Sequence, residues 1–110
     1  MVMVSVLYNS QEINAIELSA GTLTIGRSGD NNVRLDDQTI SKYHAKIVTY
    51  FNATHVEDLG STNGTYVNGK KVRQHVLQSG DILLIGKHRI RIDHDPAATM
   101  STASSTTRSA

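Results

Sequence analysis

Gly64-Thr65-Tyr66-Val67-Asn68-Gly69-Lys70 matches most of a phosphate-cradling P-loop, with glycines at both ends of the loop and a lysine after the second. The next residue is Lys71, where such a loop needs Ser or Thr to hold magnesium, and Lys71-Val72-Arg73 starts no helix. Two Asn-Gly hairpin turns account for the same glycines. The five histidines, His44, His55, His75, His88 and His94, form no HxxxH or HxH pair, and there is no cysteine beside them, so no metal site is expected. Ser41 and His44 are the nearest Ser/His pair, but the glycines that shape a nucleophile elbow are missing around Ser41. His44 is read as the donor or acceptor of a structural hydrogen bond, and no residue is assigned a catalytic role. Asp30, Asp36 and Asp37 crowd one loop, yet Arg34 breaks the alternate acidic spacing of a calcium loop, leaving a surface turn.

What remains is a set of loop residues suited to holding an anion. Arg27 follows Gly26 at the end of an apolar run, and Ser41 and Lys42 precede the run that begins near His44. Ser61, Thr62 and Asn63 follow the run that ends at Leu59. A guanidinium fork, an ammonium group and hydroxyls are the groups that grip a phosphate.

Strands must position these loops. Val2, Val4, Val6 and Tyr8 alternate with Met3, Ser5 and Leu7; Leu23 and Ile25 alternate with Thr22 and Thr24. Ala45 and Ile47 flank Lys46, Ile90 and Ile92 alternate with Arg89 and Arg91, and Ile82 to Ile85 is apolar throughout. Period two is the mark of half-buried strands. Residues 13–18 alternate poorly and make a weaker strand. Turn pairs at Asn9-Ser10, Ala20-Gly21, Asn63-Gly64, Asn68-Gly69, Ser79-Gly80 and Gly86-Lys87 punctuate the runs, and no amphipathic helix of ten or more residues is visible. The pattern predicts an all-β sandwich. In 110 residues at 38% hydrophobic there is room for one domain with a modest core, built mainly of Val, Ile and Leu because aromatics are 5%. The domain is expected over 1–95. After Pro96 comes a Ser/Thr-rich stretch, 96–110, with no Val, Ile, Leu or aromatic residue, expected to be a disordered tail or linker.

Eleven Lys+Arg against ten Asp+Glu argue against a general nucleic-acid binder. Disulfides, zinc–thiolate sites and cysteine nucleophiles are excluded. No apolar run reaches membrane-spanning length, and the apolar start lacks a basic n-region, so the expected location is the cytoplasm with no membrane partner.

Four blocks then stand in register: Gly26-Arg27; Ile40-Ser41-Lys42-Tyr43-His44-Ala45; Asp58-Leu59-Gly60-Ser61-Thr62-Asn63-Gly64-Thr65-Tyr66-Val67-Asn68-Gly69; and Leu77-Gln78-Ser79-Gly80-Asp81-Ile82. In order and spacing they resemble the forkhead-associated (FHA) domain, over roughly residues 3–93, and the loop from Asp30 to Asp37 looks like that of bacterial members. The resemblance implies a β-sandwich of two mainly antiparallel twisted sheets with ligand loops at one end. It implies binding of phosphothreonine peptides, without catalysis or a cofactor, and recruitment of partners phosphorylated by a Ser/Thr kinase. By the same resemblance Arg27 and Ser41 contact the phosphate, Lys42 adds a donor, Thr62 shapes the pocket for the phosphothreonine methyl and Asn63 holds the ligand backbone. His44 supports the loops from beneath, and Gly26, Gly64, Asn68 and Gly69 shape the turns. Selectivity beyond phosphothreonine would come from residues 31–34 and 36–39. The rival function is a phosphate-independent scaffold that uses a sheet face for protein assembly.

Overall fold

The alternating runs form strands, and their inward residues make one core. The computed structural model describes residues 2–50 and 53–94; the boundary near residue 95 and the tail expected over 96–110 lie outside them. Eleven strands run in chain order: β1 Val2–Tyr8, β2 Gln11–Leu18, β3 Gly21–Gly26, β4 Val33–Arg34, β5 Ala45–Tyr50, β6 Ala53–Asp58, β7 Thr65–Val67, β8 Lys70–Val72, β9 Gln74–Val76, β10 Ile82–Ile85 and β11 His88–His94. They make a six-stranded sheet, β2-β1-β11-β10-β7-β8, and a five-stranded sheet, β4-β3-β5-β6-β9. Every ladder is antiparallel except β3 with β4. The described residues contain no helix. The all-β sandwich is therefore the observed fold.

The core is aliphatic. Val4, Val6, Ile90, Ile92, Leu83 and Ile85 from the larger sheet and Ile25, Ala45, Ile47 and Val56 from the smaller are all fully buried. Each Val, Leu or Ile side chain buried this way contributes about 1.5–3 kcal/mol before entropy is counted. Ile82 and Leu84 of the all-apolar run sit on the outer face and are only half-buried.

Two expectations needed adjustment. Residues 13–18 belong to a full eight-residue strand. Its alternation fails because the ladder with β1 skips Ile13 at a bulge, pairing Val6 with Asn14 and Leu7 with Glu12. The bulge shifts the phase of the inward residues, and Ile13 is left 54% exposed on an edge strand. The second adjustment concerns the two Asn-Gly pairs. Asn68-Gly69 is a two-residue hairpin turn between Val67 and Lys70, with φ of 50° and 86°, as a type I′ turn requires. Asn63-Gly64 is not a hairpin turn: it lies where the chain crosses from β6 in one sheet to β7 in the other.

Candidate functional site

Three loops meet at one end of the sandwich: residues 27–32 between β3 and β4, residues 35–44 between β4 and β5, and residues 59–64 between β6 and β7. Their backbones are tied to one another. Arg27 N–H donates to the Ser41 carbonyl at 3.0 Å and Ser28 N–H to the Lys42 carbonyl at 3.2 Å. Gly26 is required here by space: a Cβ would stand 2.2 Å from the Lys42 carbonyl oxygen. The Asn31 side-chain amide, which is buried, donates to the carbonyls of Ser28 at 2.9 Å and Lys42 at 2.8 Å, a strut between the first two loops.

The third loop joins through side chains. Thr62 N–H donates to Ser41 Oγ at 3.0 Å, which leaves the serine hydroxyl its own hydrogen to donate outward. Asn63 Nδ2 donates to the Thr39 carbonyl at 2.9 Å. Beneath them His44 is fully buried. Its Nδ1 accepts from Ser41 N–H at 3.1 Å. A backbone N–H can only donate, so Nδ1 carries the lone pair, and Nε2 carries the hydrogen that it donates to the Gly64 carbonyl at 2.9 Å. One imidazole thus joins the second loop to the third.

Arg27 lies at the end of β3 with Nε donating to the Ile40 carbonyl at 3.1 Å. This anchors the stem of the guanidinium and leaves its outer fork to face solvent. Arg27 and Lys42 line one open cavity of about 490 Å³ together with Ser28, Arg34, Asp36 and Tyr43. Thr39, Asn63, Gly64, Tyr66, Leu84 and Lys87 line a second, smaller one of about 280 Å³. The turn at Gly86 closes against the second loop, for a Cβ there would meet Ile40 and Thr39 at 2.6 Å. Chemically the end of the sandwich offers a guanidinium, an ammonium, a hydroxyl and amide groups on preset loops, an arrangement suited to an anion. Among the described residues no group of three or more His, Cys, Asp or Glu could hold a metal ion, and no helix is long and apolar enough to cross a membrane.

The FHA domain family model matches residues 23–86. The chain belongs to the FHA family. An oxoglutarate dehydrogenase inhibitor of Corynebacterium efficiens is 42% identical over 81 residues, which is 74% of this chain and 57% of that protein. The glycogen accumulation regulator GarA of Mycobacterium tuberculosis is 42% identical over 73 residues, 66% of this chain and 45% of that one. The chain thus spans about half the length of the curated relatives it matches. Among solved structures, the FHA domain of FhaA, complexed with the intracellular domain of Rv3910, is 32% identical with a TM-score of 0.76, covering 84% of this chain and 99% of that one. These relatives are bacterial, and the two curated ones are named as regulators or inhibitors.

Of the residues that the FHA resemblance singles out, Gly26, Arg27, Ser41, Lys42, His44, Thr62, Asn63 and Gly64 all stand in or directly under the three joined loops. Asn68 and Gly69 stand apart, at the opposite end of β7 from Gly64. There Asn68 caps the β10 strand through Ile82 N–H at 3.0 Å and Asp81 at 3.0 Å. Two supports escaped the sequence reading. Asn31 acts across the fold, with no local signal. Asp58 had one: an Asp at the start of a loop with Gly two residues on is an Asx-turn pattern, and Gly60 N–H does donate to its carboxylate.

Asp58 organises the third loop. It accepts from the amides of Gly60 and Ser61, both at 3.0 Å, from the Ser61 hydroxyl, and from Thr65 Oγ1 at 2.7 Å. Burial by itself would raise the Asp58 carboxyl; the hydrogen bonds from Ser61, Thr65 and Gly60 together outweigh it and hold the group below its ordinary 3.8. A depressed carboxyl favours the folded state above the unfolded-chain pKa and loses that contribution as pH falls through the folded-state value. Stability should therefore fall in acid below about pH 4, a limb to which Asp37 and Asp81, also lowered, add. Thermal melting followed from pH 6 to about pH 2.5 should show this limb, and Asp58→Asn should flatten it while lowering the melting temperature at neutral pH. An identical acid limb in the variant would remove Asp58 from this role.

Proposed function

We propose that this FHA domain is a phosphothreonine-peptide reader that recruits proteins phosphorylated by a Ser/Thr kinase, without catalysis of its own. The observation that carries this reading is the locking of three loops into one platform by backbone, Ser41, Asn63 and His44 hydrogen bonds, with Arg27 and Lys42 facing one open cavity. In this reading Arg27 and Lys42 balance the phosphate charge and the Ser41 hydroxyl donates to it. Thr62 meets the threonine methyl and Asn63 holds the peptide backbone. Support comes from a solved FHA domain 31% identical to this chain, with a TM-score of 0.77 over 86% of it, from work on phosphothreonine-dependent FHA domain interactions. A cytoplasmic location goes with this reading, because the FhaA domain is bound to an intracellular domain.

Titrating isotope-labelled protein with a phosphothreonine peptide tests it. Amide shifts should concentrate at residues 26–28, 41–43 and 61–64. Shifts confined to the outer face of the six-stranded sheet would instead support a phosphate-independent scaffold.

Affinity should also fall as pH drops from 7.5 towards 5, since the second pKa of a phosphate ester is about 6 and the monoanion offers less charge and one acceptor fewer. A ligand carrying a more acidic phosphonate should move the midpoint down. A midpoint that does not follow the ligand would assign the pH dependence to the protein.

A further inference from the structure

The cavity beside Arg27 is lined by one cation more than the roughly two charges of a phosphate call for. Arg27, Arg34 and Lys42 line it, against the single lining carboxylate of Asp36. Asp30 lies nearby and stays ionised, its carboxyl held below the ordinary value by hydrogen bonds from the hydroxyls of Ser28 at 2.6 Å and Tyr43 at 2.7 Å, and it makes no ion pair with Arg34. Arg34 is placed by the fold: β4 pairs in parallel with β3 so that Arg34 stands opposite Gly26, one residue before Arg27. Its Nε donates to the Arg27 carbonyl at 3.2 Å, fixing the root of the guanidinium. The stem passes Gly29 at contact distance of where a Cβ would be. The only ion pair of Arg34 among the described residues is with Asp36 at 3.8 Å, between side chains 54% and 77% exposed. At that length and exposure it is weak and readily exchanged.

We propose that Arg34 is a specificity-determining residue that reads a second anionic group on the ligand, next to the phosphothreonine. The inference rests on the phosphothreonine reading above and deepens it. Arg27 and Lys42 match the two charges of the phosphate, and Arg34 exchanges Asp36 for an acid of the peptide. An extended peptide advances about 3.3 Å per residue, so an acid within two residues of the phosphothreonine lies in reach of a guanidinium lining the same cavity. The group is a carboxylate or a second phosphate; both suit a planar fork.

The test compares phosphothreonine peptides that are neutral at flanking positions with peptides carrying one glutamate at −2, −1, +1 or +2, and with a doubly phosphorylated peptide. The readout is the ratio of acidic to neutral affinity. At one position this ratio should be roughly two- to fivefold for the natural protein, and larger for the second phosphate. Arg34→Gln should bring the ratio close to one, and Asp36→Asn should raise it. A ratio near one in the natural protein, or one that survives Arg34→Gln, overturns the assignment while leaving phosphothreonine recognition standing. No binding of even the neutral phosphopeptide overturns the functional reading beneath it.

Discussion

Replacing Arg27 with alanine should weaken phosphothreonine-peptide binding by at least tenfold, with little change in melting temperature. Hydrogen bonds to a charged group contribute about 1.5–3 kcal/mol each, and one such bond lost already exceeds tenfold. The fold should tolerate the change because Arg27 is held by its backbone amide to Ser41 as well as by its side chain to Ile40. Calorimetric titration beside a melting curve separates the two effects. A folded variant that binds as tightly as the natural protein would remove Arg27 from the site.

His44→Ala should act the other way round, through stability first. The imidazole is fully buried and satisfies two groups of different loops, Ser41 N–H and the Gly64 carbonyl. Its removal leaves both without that partner beside a void, at a cost of about 1–3 kcal/mol for each unsatisfied group. The melting temperature should drop by roughly 10–20 °C. Binding should weaken as a consequence, because Ser41 and Gly64 no longer hold the second and third loops in register. Unchanged melting with lost binding would instead make His44 a direct ligand contact.

How far the sequence carries depends on the range of the interaction. The long strands at Val2–Tyr8, Ala45–Tyr50 and His88–His94 showed themselves by period two, because each turns alternate aliphatic residues into the core and the residues between them to the other face of the sheet. The two- and three-residue strands β4, β7, β8 and β9 are too short to display a period, and all three residues of β9 are exposed. β2 hid behind its bulge. Within the site, the loop donors at Arg27, Ser41, Lys42, Thr62 and Asn63 were legible as residue types, and their assembly came from family resemblance. The bonds that assemble them span distances no local pattern reveals. Asn31 reaches Lys42 across 11 residues, Thr62 reaches Ser41 across 21 and Asn63 reaches Thr39 across 24. Arg34 drew notice first as an interruption in an acidic loop. Only the parallel pairing of β4 with β3 places it beside Arg27.

One measurement bears on phosphate-dependent recognition most directly: fluorescence anisotropy with two peptides that differ only in the phosphate on one threonine. Loss of the phosphate removes at least two charge-assisted bonds, so the plain threonine peptide should bind about 100-fold more weakly or not at all. Equal affinity for the two peptides would contradict phosphothreonine reading and place the binding function elsewhere on the sandwich.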